Sequence, residues 1–238
     1  MKTTFYPASE RGHVNIGWLD SHHSFSFGNW YDSKKVSFGA LRVLNDDLVK
    51  GGGGFQTHPH DNMEIVSIPL VGALTHRDST GTDGLIKAGD VQIMSAGSGI
   101  RHSEFNASKT DTVNFLQVWV FPKLQNIKPR YDQKTFDPRD RQNKWQTVVS
   151  PDEKEGGVWI NQDARFALVD LEAGKEITFS PAFTGNLVYV FVLEGSIEIA
   201  GKKLGKRDAI GIADVDNFLI RSEQNAQVLA IEVPELVA

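Results

Sequence analysis

Hydrophobic and polar positions alternate in short runs along most of this chain, and the runs end at Gly, Asp, Asn or Pro. No stretch as long as an average helix (about 12 residues) carries an apolar stripe with the helical period. The runs predict β-strands at 37–44, 63–70, 91–95, 113–121, 166–171, 176–179, 187–193, 196–199, 208–212 and 228–233. Many short, regularly spaced strands are typical of an all-β sandwich or barrel.

The composition changes between residues 121 and 157, where four of the nine prolines lie among charged residues. We interpret this stretch as a connector with little regular structure, apart from a short strand near 145–149. With 238 residues the chain can form two cores. The predicted domains are 1–130 and 158–238, joined by a connector at 131–157.

The two halves resemble each other. Segment 58–72 aligns with 181–195, segment 100–106 with 220–225, and segment 115–122 with 228–234. All seven histidines lie in the first 102 residues, and Pro181 and Phe183 stand opposite His58 and His60. If the halves share a fold, only the N-terminal domain can hold a histidine-based metal site, and the C-terminal domain is a scaffold without metal ligands.

Composition excludes several classes of function. The formal net charge is −5 and no Lys/Arg cluster forms a phosphate-binding face, so a nucleic-acid partner is not expected. There is no cysteine, which excludes disulfides, thiolate catalysis and Cys-based metal sites. The sequence shows neither a signal peptide nor a membrane-spanning apolar run, so we expect a cytoplasmic protein with no membrane partner.

Two histidine-containing pairs carry the candidate chemistry. Side chains two apart on a strand point to one face, with Cα atoms about 6.6 Å apart, so His58 and His60 can aim at one point. His102 and Glu104 have the same spacing. If the two segments are antiparallel neighbours, about 4.8 Å apart, all four side chains can converge on a transition metal. Glycines 51–54, 97 and 99 precede the pairs and allow tight turns.

The wider pattern matches the two cupin motifs. Gly52, His58, His60, Glu64 and Gly72 have the spacing of the first motif. The second is matched by Gly89, Gly97 or Gly99, His102 and Asn106. The general cupin pattern takes its carboxylate ligand from Glu64, so the residues leave both Glu64 and Glu104 open as the fourth ligand.

Three strings are more specific: THPHDNMEI (57–65), MSAGSGIRHSEFN (94–106) and ERGHVNIGWLDSHHSFSF (10–27). They resemble the pirin family of two-domain cupins, in particular bacterial members with quercetin 2,3-dioxygenase activity. The resemblance implies two cupin (jelly-roll-type) β-barrel domains facing each other, a bicupin. It also implies one divalent transition metal, usually Fe(II), in the N-terminal barrel. The implied ligands are His58, His60, His102 and Glu104, with Glu64 orienting a histidine.

The function implied is cleavage of a flavonol such as quercetin by dioxygen with release of carbon monoxide, with Glu104 as the catalytic proton acceptor. Mn, Ni, Cu and Zn also fit imidazole and carboxylate ligands. The alternative is a pirin-like regulatory protein that acts through a protein partner, and a third hypothesis is a cupin isomerase or sugar-binding barrel. The substrate is expected to be a small aromatic molecule, but the sequence identifies neither its binding residues nor the oligomeric state.

The remaining histidines and aromatic residues receive structural interpretations. His76 lies in a turn-like stretch (75–84) and is predicted to be exposed. Structural hydrogen bonding near the barrel mouth is expected of His13, His22 and His23. The aromatic residues expected in the core are Trp18, Phe25, Phe27 and Trp30.

Overall fold

The computed structural model describes residues 1–236 and is built almost entirely of β-strands, with no α-helix among those residues. Three short 3-10 helices occupy Ala8–Glu10, Pro138–Arg141 and Glu153–Glu155. The first strands are β1 (Lys2–Tyr6), β2 (Gly12–Asn15), β3 (Leu19–His23), β4 (Leu41–Val49), β5 (Gly54–His60), β6 (Glu64–Val71), β7 (Ala73–Asp78), β8 (Asp83–Lys87), β9 (Asp90–Ser95), β10 (Ile100–Asn106) and β11 (Val113–Val120). The others are β12 (Arg130–Thr135), β13 (Gln146–Ser150), β14 (Val158–Trp159), β15 (Arg165–Leu171), β16 (Glu176–Phe179), β17 (Leu187–Glu194), β18 (Ile197–Ile199), β19 (Lys202–Leu204), β20 (Ala209–Ala213), β21 (Phe218–Arg221) and β22 (Ala226–Val233).

The chain forms two compact units, neither of which is continuous in sequence. The N-terminal unit comprises Gly12–Phe136 and Val158–Gln162. The C-terminal unit comprises Met1–Arg11, Asp137–Gly157 and the chain from Asp163 to the end of the described residues. The grouping differs from the predicted boundaries because β1 pairs with β20, deep in the second half of the chain. Strand β13 confirms the short strand predicted near 145–149, whereas β12 lies where the sequence predicted little regular structure.

The N-terminal unit contains a seven-stranded sheet in the order β12-β9-β6-β11-β4-β3-β2 and a four-stranded sheet in the order β5-β10-β7-β8. Strands β6 and β11 lie near the centre of the larger sheet and are rich in Val, Ile, Phe and Trp, which fit a pleated, buried surface. Pro69 lies within β6 beside the register shift between Asn114 and Phe115. A proline is tolerated in a central strand at such an irregularity because it cannot donate to a regular ladder.

The C-terminal unit repeats this plan. Six of its strands lie in the order β1-β20-β17-β22-β15-β13, and four others in the order β16-β21-β18-β19. Its interior is one continuous cluster of buried apolar side chains that includes Phe179, Val190 and Ile220. In the N-terminal unit, smaller apolar clusters lie around Phe115 and around Met94.

The all-β prediction is confirmed, and several strands agree closely with the predicted runs, such as Glu176–Phe179 and Leu187–Glu194. Within the described residues, no helix has the length and apolar character needed to cross a bilayer.

Candidate metal centre

The two histidine pairs lie on neighbouring antiparallel strands of the four-stranded sheet. His58 on β5 is the Cα partner of His102 on β10. A register shift between His102 and Glu104 places Glu104 opposite Phe55. At the start of β5, a Cβ on Gly54 would lie 2.6 Å from the carbonyl oxygen of Glu104, so glycine permits the close approach of the two strands here. The antiparallel pairing expected from the sequence is therefore present.

The structure brings His58, His60 and His102 together. Their ring centroids are 4.8 Å apart for His58 and His60, 4.5 Å for His58 and His102, and 4.9 Å for His60 and His102. The Nε2 atoms of His58 and His102 lie 3.1 Å apart. One potential ligand atom from each of the three residues lies within 4.8 Å of the others. The three imidazoles thus form a compact triangle.

Two rings of the triangle, His60 and His102, are neutral at neutral pH. Burial lowers the pKa of His60 to about 4, with a further contribution from His102 and His58. Burial also lowers the pKa of His102 to about 3, followed by the effects of His58 and His76. His58 Nδ1 lies 2.7 Å from the carbonyl oxygen of Gln56, which can only accept, so Nδ1 is the donor and Nε2 is the nitrogen that faces His102.

Glu104 is 2 % exposed and is held by two side chains from the larger sheet. Ser67 Oγ donates to Oε1 at 3.0 Å and Gln117 Nε2 donates to Oε2 at 2.7 Å. Glu104 belongs to a second group of ligand atoms within 4.8 Å of one another, formed with His102 and His76. The carboxylate therefore lies beside the triangle, and His102 belongs to both groups.

Glu64 is buried but lies apart from the histidines. Its Oε2 accepts hydrogen bonds from Ser95 Oγ at 2.7 Å and from the amide of Asn161 at 3.2 Å. Ser67, three residues further along β6, faces Glu104, and alternation along the strand places Glu64 on the opposite face. Burial raises the pKa of Glu64, against the effects of its hydrogen bonds and Arg130. None of its hydrogen bonds reaches a histidine, contrary to the orienting role expected for it.

His76 is fully buried on β7, so the prediction of an exposed turn residue is wrong. It is the Cα partner of Glu104, its Nε2 lies 3.0 Å from Asp78 Oδ2, and its Nδ1 is buried without a hydrogen-bond partner. Turn composition misled the prediction, since the turn itself begins only after Asp78, whose Oδ1 accepts from Thr80. Leu74 and His76 are both buried, and this alternation was the available signal.

Aromatic rings border the triangle. Trp119 on β11 meets His60 edge to face at 4.9 Å, and Phe27 meets Trp119 in the same way at 5.3 Å. Tyr131 lies 4.8 Å from His76, and burial, with help from Glu104, raises its pKa, so the phenol stays protonated. Phe25 is fully buried and Trp18 packs on a core cluster, as expected for both.

The donor set fits a transition-metal ion. The Nε2 of His60 and the Nδ1 atoms of His76 and His102 are buried without hydrogen-bond partners. Buried polar atoms without partners are costly, and each of these three belongs to a residue of one of the two ligand groups, which indicates a site for a polar group or an ion. Neutral imidazoles with one carboxylate are ligands that divalent Fe, Ni, Cu, Mn and Zn accept.

Comparisons with known proteins bear on the family of this chain. A family model described as Pirin matches residues 5–120, and one described as Quercetinase C-terminal cupin domain matches residues 147–233. A protein named quercetin 2,3-dioxygenase from Escherichia coli K12 is 42 % identical over 231 residues, covering 95 % of this chain and 96 % of that protein. A pirin-like protein from Caulobacter vibrioides is 37 % identical over 95 % of this chain and 97 % of its own length.

Solved structures bear on the fold of this chain. The bacterial pirin YhhW of Escherichia coli, in complex with nickel(II), matches with a TM-score of 0.93 and 38 % identity over 99 % of this chain and 100 % of that one. The predicted fold class, two cupin β-barrel domains, is confirmed, and so is the family resemblance.

Proposed function

Because the chain belongs to the pirin family, we propose that it is a metal-dependent dioxygenase that cleaves a flavonol such as quercetin. The observation that carries the proposal is the triangle of three imidazoles with a buried carboxylate beside it. Relatives named quercetin 2,3-dioxygenase supply the substrate class, and a nickel(II) complex of a bacterial pirin supports a single-metal centre.

His58, His60, His102 and Glu104 would hold the ion, and Fe(II) is the metal we propose. When bound, a divalent transition metal supplies a Lewis acid with open positions for a substrate oxygen and for dioxygen. Burial keeps His60 and His102 unprotonated at neutral pH, as ligands must be.

Glu104 is the residue to which we assign proton transfer. Flavonol cleavage requires the 3-hydroxyl to lose its proton, and a fixed carboxylate can accept it. Ser67 and Gln117 donate to its two oxygens and hold it in one orientation. Removing either donor should misplace the base without removing it.

Trp119 and Phe27 are the aromatic side chains we assign to the substrate wall. A flat apolar flavonol needs flat apolar contacts beside the reacting atoms. Trp119 lies against His60, and Phe27 against Trp119, so these rings border the triangle.

The decisive experiment uses protein purified without oxygen and loaded separately with Fe(II), Ni(II), Mn(II), Cu(II) and Zn(II). We expect at least one form to consume dioxygen with quercetin and to release carbon monoxide in equal amount. No carbon monoxide from any form would overturn the proposed activity. A pull-down partner that depends on the oxidation state of the iron would then support a regulatory role.

Glu104→Gln and Glu64→Gln form a matched pair that tests the carboxylate. Both changes replace one buried carboxyl group by an amide of similar size, but only Glu104 lies beside the histidines. We expect Glu104→Gln to lower both metal content and turnover, and Glu64→Gln to retain metal. Unchanged metal content in Glu104→Gln would show that this glutamate is no ligand.

A further inference from the structure

The hairpin of β2 and β3 carries a second cluster of metal-ligating side chains, formed by His13, Asp20 and His22. His13 and His22 are directly opposed Cα partners, and Asp20 lies two residues before His22, on the same face. One potential ligand atom from each residue lies within 4.8 Å of the others. None of these residues takes part in the histidine triangle.

The cluster lies on the opposite face of its sheet from the candidate metal centre. His23 pairs with Asn45, which pairs with Gln117, the side chain that donates to Glu104. His22 pairs instead with Asp46. Because successive side chains alternate between faces, His22 and Asp46 point away from Glu104. Two metal ions bound at the two clusters would therefore occupy separate sites.

Asp20 already contacts His13 and lies close to His22. Its Oδ1 accepts from His13 Nε2 at 2.8 Å and lies 3.7 Å from His22 Nδ1. Asn15 Nδ2 donates to the other carboxylate oxygen at 3.0 Å and so fixes the carboxylate. The side chains of His13, Asp20 and His22 are 52 %, 34 % and 40 % exposed, so an ion can reach all three from solvent.

We propose that His13, Asp20 and His22 form a second, peripheral site for a divalent transition-metal ion. Two imidazoles and one carboxylate select Ni²⁺, Cu²⁺ or Zn²⁺ over Mg²⁺ and Ca²⁺, which prefer all-oxygen ligands. Opposed residues on paired strands have Cβ atoms about 5 Å apart, which allows both side chains to reach one ion. The backbone of the hairpin fixes that separation before the ion arrives.

Binding requires a local rearrangement. The two rings are stacked, with centroids 4.4 Å apart and planes 14° apart, so their nitrogen lone pairs run side by side. Half-exposed side chains change rotamer within nanoseconds, and rotation of the rings would turn both nitrogens towards a shared ion. The site gives up the His13–Asp20 hydrogen bond, so its affinity should be below that of the buried triangle.

The test is equilibrium dialysis against Ni²⁺ with elemental analysis of the bound metal. We expect the unmodified protein to bind two equivalents in two affinity classes. His13→Gln and His22→Gln should each weaken the second class at least tenfold and leave the first unchanged. Asp20→Asn should weaken the second class by a smaller factor. Asp83→Asn, which alters an exposed acid on another hairpin, is the matched control and should change neither class.

His58→Gln separates this proposal from the proposed function, because it should remove the first class and leave the second. Saturation at one equivalent up to 1 mM free Ni²⁺ would overturn the proposal. A second class that persists in both His13→Gln and His22→Gln would overturn it equally. Near-ultraviolet circular dichroism of each variant shows that the fold is intact.

Discussion

The interiors of the two units differ in polarity, although each unit is built on the same plan of one larger sheet and one four-stranded sheet. The C-terminal unit encloses one apolar cluster. The N-terminal unit buries six polar side chains that face its candidate metal centre or lie in register with those that do: Ser67, His76, Gln92, His102, Glu104 and Gln117. The same scaffold therefore folds with either interior.

Strand pairing matches individual positions in the two units. Gly72 lies in the turn before β7, and Gly195 lies in the corresponding turn before β18. His76 follows Gly72 by the same number of residues as Ile199 follows Gly195, so Ile199 occupies the position of His76. Ile199 is the Cα partner of Ile220, as His76 is of Glu104. One pair of positions in the small sheet thus holds a histidine and a glutamate in one unit and two isoleucines in the other.

The larger sheets show the same replacement. Ser67 pairs with Gln92 on one side and with Gln117 on the other. The corresponding row in the C-terminal unit is Val190, Ile210 and Ala230. Buried polar groups cost stability unless they are well hydrogen-bonded. Because the C-terminal unit folds with an apolar row, the fold itself does not require the polar row of Ser67, Gln92 and Gln117. Its polar side chains are explained by the carboxylate that two of them hold.

The largest effect is expected from placing a charge in the apolar interior. Ile220→Glu buries a carboxylate without partners, which should destabilise the C-terminal unit by about 4 kcal/mol or prevent its folding. Urea unfolding measures the change, and Ile220→Val, expected to cost about 1 kcal/mol, is the control. A loss below 1 kcal/mol for Ile220→Glu would mean that this interior tolerates charge and that the comparison fails.

Removal of a histidine from the triangle is expected to act on metal binding. His102→Ala should weaken the affinity of the N-terminal unit for its metal at least 100-fold, about 2.7 kcal/mol, because His102 belongs to both ligand groups. Competition with a chelator of known affinity measures the change. Phe218→Leu alters the matched position of the C-terminal unit and should leave metal affinity unchanged. Equal losses of metal affinity in the two variants would contradict the assignment of the metal site to the histidine triangle.

A smaller effect is expected from the residues that hold the carboxylate. Gln117→Leu removes the donor to Glu104 Oε2 and should lower metal affinity about tenfold. Ser95→Ala removes a donor from Glu64 and is the matched control, with no expected change. A Gln117→Leu variant with the metal affinity of the parent would contradict the proposal that Gln117 is kept to hold Glu104 for metal binding.

The sequence predicted the convergence of the histidines because strand alternation depends only on local spacing. The two segments are antiparallel neighbours, the condition for that convergence, and His58 and His102 are Cα partners. The roles of Ser67 and Gln117 depend on the register between three strands far apart in sequence, and no local pattern determines that register.

The internal alignment matched Ile100 with Ile220, whereas strand pairing places Ile220 at the position of Glu104. The shorter strand β21 and the register shift after His102 explain the difference. Phe179 is the Cα partner of Phe218, as His58 is of His102. Strand pairing therefore places Phe179, and not Pro181, at the position of His58. Matching by residue identity alone cannot detect such a shift.

The smallest effect is a pH dependence confined to the polar interior. In the metal-free protein, burial followed by neighbouring histidines lowers the pKa of His60 to about 4 and that of His102 to about 3. Between these values and the unfolded value of about 6.5, the native state binds fewer protons than the unfolded chain, so stability rises with pH. The contribution is complete above pH 6.5 and is lost as the pH falls.

Between pH 7 and pH 5.5 the loss should be about 1 kcal/mol, after allowance for the solvent that screens the half-buried His60. The measurement is the difference in urea midpoint between the two pH values. His60→Phe and His102→Phe give these two positions the apolar character of the C-terminal interior and should flatten the dependence. Because other groups titrate in both proteins, the quantity to compare is the difference between variant and parent in the change of the urea midpoint with pH. A parent and variants with equal slopes would mean that these rings are as easily protonated in the native state as in the unfolded chain.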